Sequence, residues 1–310
     1  MDFARDFSTI PPQVEELAKL SVENSQIDPA LYAKFNVKRG LREVDGTGVT
    51  AGVTKIGNAH GYVVNEGEKE AAELGLKPGI AVYGGGGDAS LIGVGAGSVG
   101  LRDTHVYVGT SGWVSTVVDK SLADTSAMIA ATVGARPGYY NYFAELETAG
   151  KCVEWVKDHL ALDEIGIYLK KTDVAEDIES KYTNLYQYLS SVIESVPAGS
   201  NGVIFTPWLH GNRCPFEDPN ARGMFFNLSL ETGKTELIRA VLEGVCYHLR
   251  WFIETQDKKI KTSSVIRFVG GGALSDVTCQ ILADVTGKTV ETVDSPQNVG
   301  AVGAAVIMAV

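Results

Sequence analysis

Apolar and polar positions change their spacing several times along the chain, and each change predicts an element. The continuous apolar run Ile80-Ala81-Val82-Tyr83 predicts a buried strand, and the preceding stretch from Glu68 to Leu76 a short helix stopped by Lys77-Pro78-Gly79. Two β-prone runs, Thr104 to Val108 and Trp113 to Val118, flank Gly109-Thr110-Ser111-Gly112 and predict a hairpin. Between Asp173 and Val196, Val174, Ile178, Tyr182, Leu185, Leu189, Val192 and Ile193 recur at helical spacing. Leu237, Ala240, Val241, Gly244, Val245, His248, Leu249 and Phe252 form a second helical stripe, on which His248 is expected to be a hydrogen-bonded core residue rather than a ligand. Val203 to Phe205, Val265 to Val269 and Thr289 to Val293 predict short strands. Ser275 is placed to cap a helix with Asp276 in its first turn and Ile281, Leu282 and Val285 on its apolar side. Ser295 and Pro296 open a small-residue helix through Gly300, Gly303, Ala304 and Ala305.

The chemistry concentrates at the glycines. Gly84 to Gly87 let the backbone turn sharply and approach a ligand closely, so Asp88, which ends the run, is expected to point into open space. Gly109 to Gly112 adds a tip with hydroxyls and exposed N–H groups, for which phosphate oxygens are natural partners. Either stretch alone also reads as ordinary loop punctuation; their co-occurrence points to phosphoryl transfer. Gly95 to Gly100 fits G-x-G-x-x-G, and Asp119 lies near the distance of a ribose-binding acid. A dinucleotide fold needs a helix directly after that run, whereas Leu101 to Val118 reads as turn, strand, turn, strand, which argues against a nicotinamide-dependent oxidoreductase.

Composition narrows the classes. With 310 residues, 45% hydrophobic and 21% charged, the chain is ordinary for a soluble globular protein and long enough for two domains. Its net charge of −11 argues against nucleic acid as a partner. Cys152, Cys214, Cys246 and Cys279 form no C-x-x-C pair, so free thiols in a reducing cytoplasm are expected. No signal-peptide pattern or membrane-length apolar run is present, and a soluble, cytoplasmic protein is expected. The apolar helix reaching Val310 without a stop signal suggests truncation at that end.

Six ordered blocks then carry a resemblance: Glu70 to Gly79, Gly86-Gly87-Asp88-Ala89, Gly109 to Gly112, Pro219-Asn220-Ala221-Arg222-Gly223, Leu237 to Gly244, and Gly270-Gly271-Gly272-Ala273. Together they resemble the FGGY carbohydrate kinases of the actin and Hsp70 ATPase superfamily, xylulokinase-like members in particular, over the C-terminal two-thirds of such an enzyme. The resemblance implies an α/β, ribonuclease-H-like fold with a mixed sheet flanked by helices. Residues 1–90 would be the end of a first, sugar-binding domain, and residues 91–310 the nucleotide-binding domain. It further implies ATP and Mg²⁺ as cofactors and a small-molecule sugar, xylulose or a related pentulose or polyol, as acceptor, and it allows a homodimer. Asp88 would be the general base, Gly109, Thr110, Ser111 and Gly112 the second phosphate loop, and Gly271, Gly272 and Ala273, with Asp276, the adenosine turn. The metal ligands are not assigned.

The chain departs from the pattern in places. The family's opening Asp-x-Gly-Thr hairpin is missing, and Asn227, Glu231 and Asn212 stand where the family has Gly, often Gly, and Glu. A non-catalytic nucleotide-binding module therefore stands as the alternative to a kinase.

Overall fold

The computed structural model describes residues 53–56, 61–64, 81–83, 87–161 and 185–309. The chain divides into two compact units, Met1–Gly86 and Gly87–Val310. In the first, β1 (Val53–Ile56), β2 (Gly61–Val64) and β3 (Ala81–Tyr83) form an antiparallel sheet with β2 in the middle. The helix expected from Glu68 to Leu76 and the glycines Gly84 to Gly86 lie outside the described residues.

The second unit is built on a seven-stranded mixed sheet. Helix α1 (Asp88–Gly95) leads to β4 (Thr104–Val108), β5 (Gly112–Val118), β6 (Ala123–Asp124), β7 (Ile129–Val133) and β8 (Tyr140–Leu146). After α2 (Gly150–Val156) and α3 (Leu185–Ser195), the short β9 (Ile204–Thr206) and β10 (Met224–Phe226) pair with each other. The long α4 (Lys234–Asp257), β11 (Val265–Val269), α5 (Asp276–Thr286), β12 (Thr289–Glu291) and α6 (Val299–Ala309) complete it. The strand order is β12-β11-β4-β5-β8-β7-β6, with β12, β11 and β4 parallel and the remainder antiparallel. A turn and then β4 follow α1, so no helix succeeds Gly95 to Gly100, which removes the dinucleotide reading on structural grounds.

Alternation along each strand sorts the side chains onto two faces. Val106, Val108, Val114, Tyr142, Ala144, Leu146, Ile266 and Phe268 join the larger core with Val241, Val245, Leu249 and Phe252 of α4. Residues of opposite parity, Tyr107, Trp113, Phe143 and Val269, join a smaller cluster with Ile92, Ala96 and Val299 of α1 and α6.

Helix α4 is buried over much more of its circumference than the predicted stripe. Arg239, Glu243, Cys246, Thr255 and Gln256 are also buried, because α4 touches the sheet, α3, α5 and β9 at once. Most of its buried polar groups are paired, the Thr255 hydroxyl being without a partner among the described residues. Arg239 Nε donates to Glu243 Oε1 at 2.6 Å, and Gln256 donates to Val114 O and Tyr142 O at 3.0 and 3.1 Å while accepting from Thr116 Oγ1 at 2.8 Å. His248 is the core histidine expected: its ring is bonded through Nε2 to Cys214 O at 2.8 Å, Nδ1 accepts from Trp208 Nε1 at 3.3 Å, and burial lowers its pKa to about 4.

The glycines of the predicted small-residue helix serve packing. A side chain on Gly303 would stand 2.9 Å from Gly95 N, and one on Gly95 would run into the Val299 backbone, so α1 and α6 cross with almost no side-chain spacer. Of the helix predicted between Asp173 and Val196, Leu185–Ser195 is described, and the residues before it lie outside. All four cysteines are free thiols.

Candidate functional site

Strands β4 and β11 are parallel neighbours, with Tyr107 opposite Val269, so both release their glycine turns at the same end of the sheet. Ligand sites in open α/β sheets form at such carboxyl ends. The first turn is pinned through its carbonyls. Gly109 O accepts from Gly150 N at 2.8 Å, and Thr110 O accepts from Ala149 N and Lys151 N, both at 3.2 Å. Among the described residues, the N–H groups of Thr110 and Ser111 donate to nothing, and Thr110 is exposed. Gly112 is required by packing, since a side chain there would lie 2.7 Å from Ala149 Cβ.

In the second turn, Gly270 has φ +92°, which only glycine adopts readily, and its N–H donates to Pro296 O at 2.8 Å. A short 3₁₀ turn, Gly271–Leu274, follows. The structure revises the reason for Gly272: a side chain there would meet Val108 Cβ at 2.9 Å, so the turn's own packing demands glycine. Gly271 is the position that faces open space. Ala273 is buried, Ser275 Oγ accepts the Thr278 N–H at 3.3 Å as the predicted cap, and Asp276 is exposed at the start of α5.

Asp88 is the first residue of α1 after the N-cap Gly87, exposed, with Oδ1 accepting from Ala89 N at 2.9 Å. One helical turn on, Ile92 packs with Trp113 and Phe143, which sets Asp88 over the β4–β5–β8 end of the sheet. Its charge is felt there. The Tyr107 hydroxyl is pushed up by burial and then by Asp88. Glu145 is raised by burial, lowered by Arg213, and raised again by Glu147 and Asp88. Tyr107 underlies the phosphate-type turn, because a side chain on Gly109 would overlap its ring.

Sequence reasoning missed this neighbourhood. Tyr107 stacks on Trp113 with centroids 4.0 Å apart, and Trp113 Nε1 donates to His105 Nε2 at 3.2 Å. His105 is fully buried, with its pKa lowered to about 4 by desolvation. Arg213 Nη1 bonds Glu145 Oε2 at 2.5 Å and approaches Glu147 Oε1 at 3.5 Å. The signal available was the alternation of Tyr140 to Leu146, which sends Phe143 and Glu145 to the α1 face.

The departures now have local accounts. Asn227 sits at φ +64°, a conformation that asparagine tolerates better than most residues, and its Nδ2 donates to Gly202 O at 3.1 Å. Asn212 closes a turn, exchanging backbone bonds with Asp218 and donating from Nδ2 to Phe216 O at 2.6 Å. Glu231 is exposed, its N–H bonded to Ser229 Oγ at 3.2 Å.

Two turns with unused donors and an open glycine fit a nucleotide with phosphate groups. Among the described residues, no three His, Cys, Asp or Glu side chains come together to hold a metal, so those residues alone do not fit Mg²⁺. No described helix is long and apolar enough to cross a membrane.

Comparison with known proteins agrees with this geometry. The chain is 29% identical over 227 residues to a xylulose kinase of Staphylococcus epidermidis, covering 73% of this chain and 42% of that protein. It is equally, 29%, identical over 216 residues to a gluconokinase of Bacillus subtilis, covering 69% and 40%. The crystal structure of gluconate kinase from Lactobacillus acidophilus superposes with a TM-score of 0.62 at 27% identity, covering 77% and 44%. The chain thus spans less than half the length of these relatives. The mixed sheet flanked by helices is the ribonuclease-H-like fold of the actin and Hsp70 ATPases. The C-terminal domain of the FGGY family of carbohydrate kinases matches residues 105–310, well over half of the sequence, and the chain belongs to that family.

Proposed function

We propose that the chain carries the nucleotide-binding part of an ATP-dependent carbohydrate kinase, acting in the cytoplasm, in which Asp88 is the general base for the attacking sugar hydroxyl. The observation that carries this reading is the release of both glycine turns at one end of adjacent parallel strands, with Asp88 on α1 over the same end. Gly109, Thr110, Ser111 and Gly112 would meet the phosphates. Gly271, Gly272 and Ala273, with Asp276, would meet the nucleoside. Residues 91–310 are then the nucleotide-binding domain and residues 1–90 the end of the sugar-binding one. Phosphoryl transfer is mostly positioning and charge stabilisation, so the part Asp88 supplies is an exposed carboxylate held at a helix start.

The acceptor proposed is xylulose or a related pentulose; gluconate is the competing acceptor, since the gluconokinase and xylulose kinase relatives stand at the same identity. A second reading, a nucleotide-binding module without catalysis, is favoured by the absence of a metal-holding cluster among the described residues. Calorimetry with ATP, followed by product analysis with a panel of pentuloses, polyols and aldonates, separates the readings. ATP binding by the chain is expected under both readings; sugar phosphate formed by the complete enzyme supports the kinase, and none from any sugar supports the module. No heat with millimolar ATP in folded protein removes both.

A further inference from the structure

Tyr107, the last residue but one of β4, fills the space between the two glycine turns. A side chain on Gly109 would overlap its hydroxyl and the adjoining ring edge, and one on Gly270 would stand 2.9 Å from Cε2 on the opposite edge. One edge of the ring therefore faces the phosphate-type turn and the other the nucleoside-type turn. The ring is fixed in that place. It stacks on Trp113 with centroids 4.0 Å apart and planes 21° apart, and Trp113 is itself held by its bond to His105 Nε2 and its contact with Phe143. The hydroxyl takes no part in this packing. Tyr107 is half-buried, a setting in which a tyrosine hydroxyl ordinarily finds a partner, yet among the described residues this one has no hydrogen-bond partner. It stands against Gly109, just before Thr110 and Ser111, whose N–H groups are unused as well.

We infer that Tyr107 is a further phosphate-binding residue, its hydroxyl donating a hydrogen bond to a phosphate oxygen of the nucleotide held at the Gly109 turn. The inference rests on the nucleotide-binding reading above and deepens it. Burial and then the Asp88 charge push the pKa of the hydroxyl up, so at neutral pH it keeps the proton it would donate. A hydroxyl donating to an anionic oxygen makes a charge-assisted bond, stronger than one between neutral groups. The Trp113 stack already orients the donor, so little side-chain freedom is lost on binding. Adenosine carries no anionic oxygen, and the contact therefore distinguishes a phosphorylated nucleotide from its nucleoside.

The test is calorimetry of the chain and of Tyr107→Phe with ATP and with adenosine, alongside thermal melting of both. Phenylalanine keeps the ring and its stack and removes the hydroxyl alone. ATP affinity is expected to fall about tenfold, the worth of a hydrogen bond to a charged group. The melting temperature and any affinity for adenosine are expected to stay as they are. Loss of ATP affinity at an unchanged melting temperature supports the inference. Unchanged ATP affinity overturns it and leaves the nucleotide reading intact. An equal loss for ATP and adenosine, or a clear fall in melting temperature, overturns it too, because the hydroxyl then serves the packing of the turns. No heat with millimolar ATP in the folded, unaltered chain overturns the nucleotide reading, and this inference with it.

Discussion

The two faces of the seven-stranded sheet are built to different standards. On the α4 face, apolar residues from β4, β5, β8 and β11 meet a helix buried nearly all round, and the polar groups of Gln256, His248 and Arg239 are bonded. On the α1 face the cluster is small. His105 Nδ1 and Ser115 Oγ, side by side across β4 and β5, are buried there without a partner among the described residues, as Tyr142 Oη and Thr255 Oγ1 are on the α4 side. Glu145 stands on that face, and Asp88 begins the helix that covers it. One face carries most of the apolar burial, and the other carries charge and aromatic surface near the turns.

The largest effect that would break this comparison lies on the α1 side. In the complete enzyme, Asp88→Asn is expected to lower the sugar phosphorylation rate about 10²- to 10⁴-fold while ATP affinity by calorimetry stays nearly unchanged. Near-normal turnover would take Asp88 out of the base role and leave that face with packing alone.

On the α4 side, Phe252→Ala removes a fully buried ring and is expected to cost about 3 to 5 kcal/mol in denaturant unfolding. A loss below about 1 kcal/mol would mean that this face is not the stabilising one.

Acid probes both faces together. His105 and His248 titrate near 4 when folded, against an ordinary value near 6.5. Below about pH 6.5 the unfolded chain therefore binds protons that the folded one refuses, so the stability these residues contribute is present above that pH and is lost toward pH 4. The loss is at most about 3 kcal/mol for each residue. Phe in place of either histidine should flatten the pH dependence of the melting temperature by that residue's share.

The smallest expected effect is Ser275→Ala, which deletes the cap of α5 between the nucleoside-type turn and the larger core. It should cost about 1 kcal/mol in stability. A weakening of ATP binding beyond that would show that the cap also holds the turn for its ligand.

Much of this was legible from the chain. The hairpin around Gly109 to Gly112, the strand Val265 to Val269 and the Ser275 cap fell where local patterns put them, because turn chemistry, alternation and capping each act within a few residues. The α4 stripe was drawn too narrow because its extra burial comes from elements distant in sequence. Glu145 and Arg213 are 68 residues apart, so only the folded sheet brings them together. Gly272 was read as serving a ligand when Val108, brought close by the β4–β11 pairing, already forbids a side chain.

The bare crossing of α1 over α6 has a mechanical consequence. Helix α6 begins just after Pro296, whose carbonyl holds the N–H of Gly270, while α1 begins with Asp88. At the crossing itself Gly95 and Gly303 bring the two backbones together, with Ile92 packed beside them against Gly300 and Val299. The element that follows the β11 turn and the element that begins with Asp88 are therefore joined backbone to backbone at one fixed point.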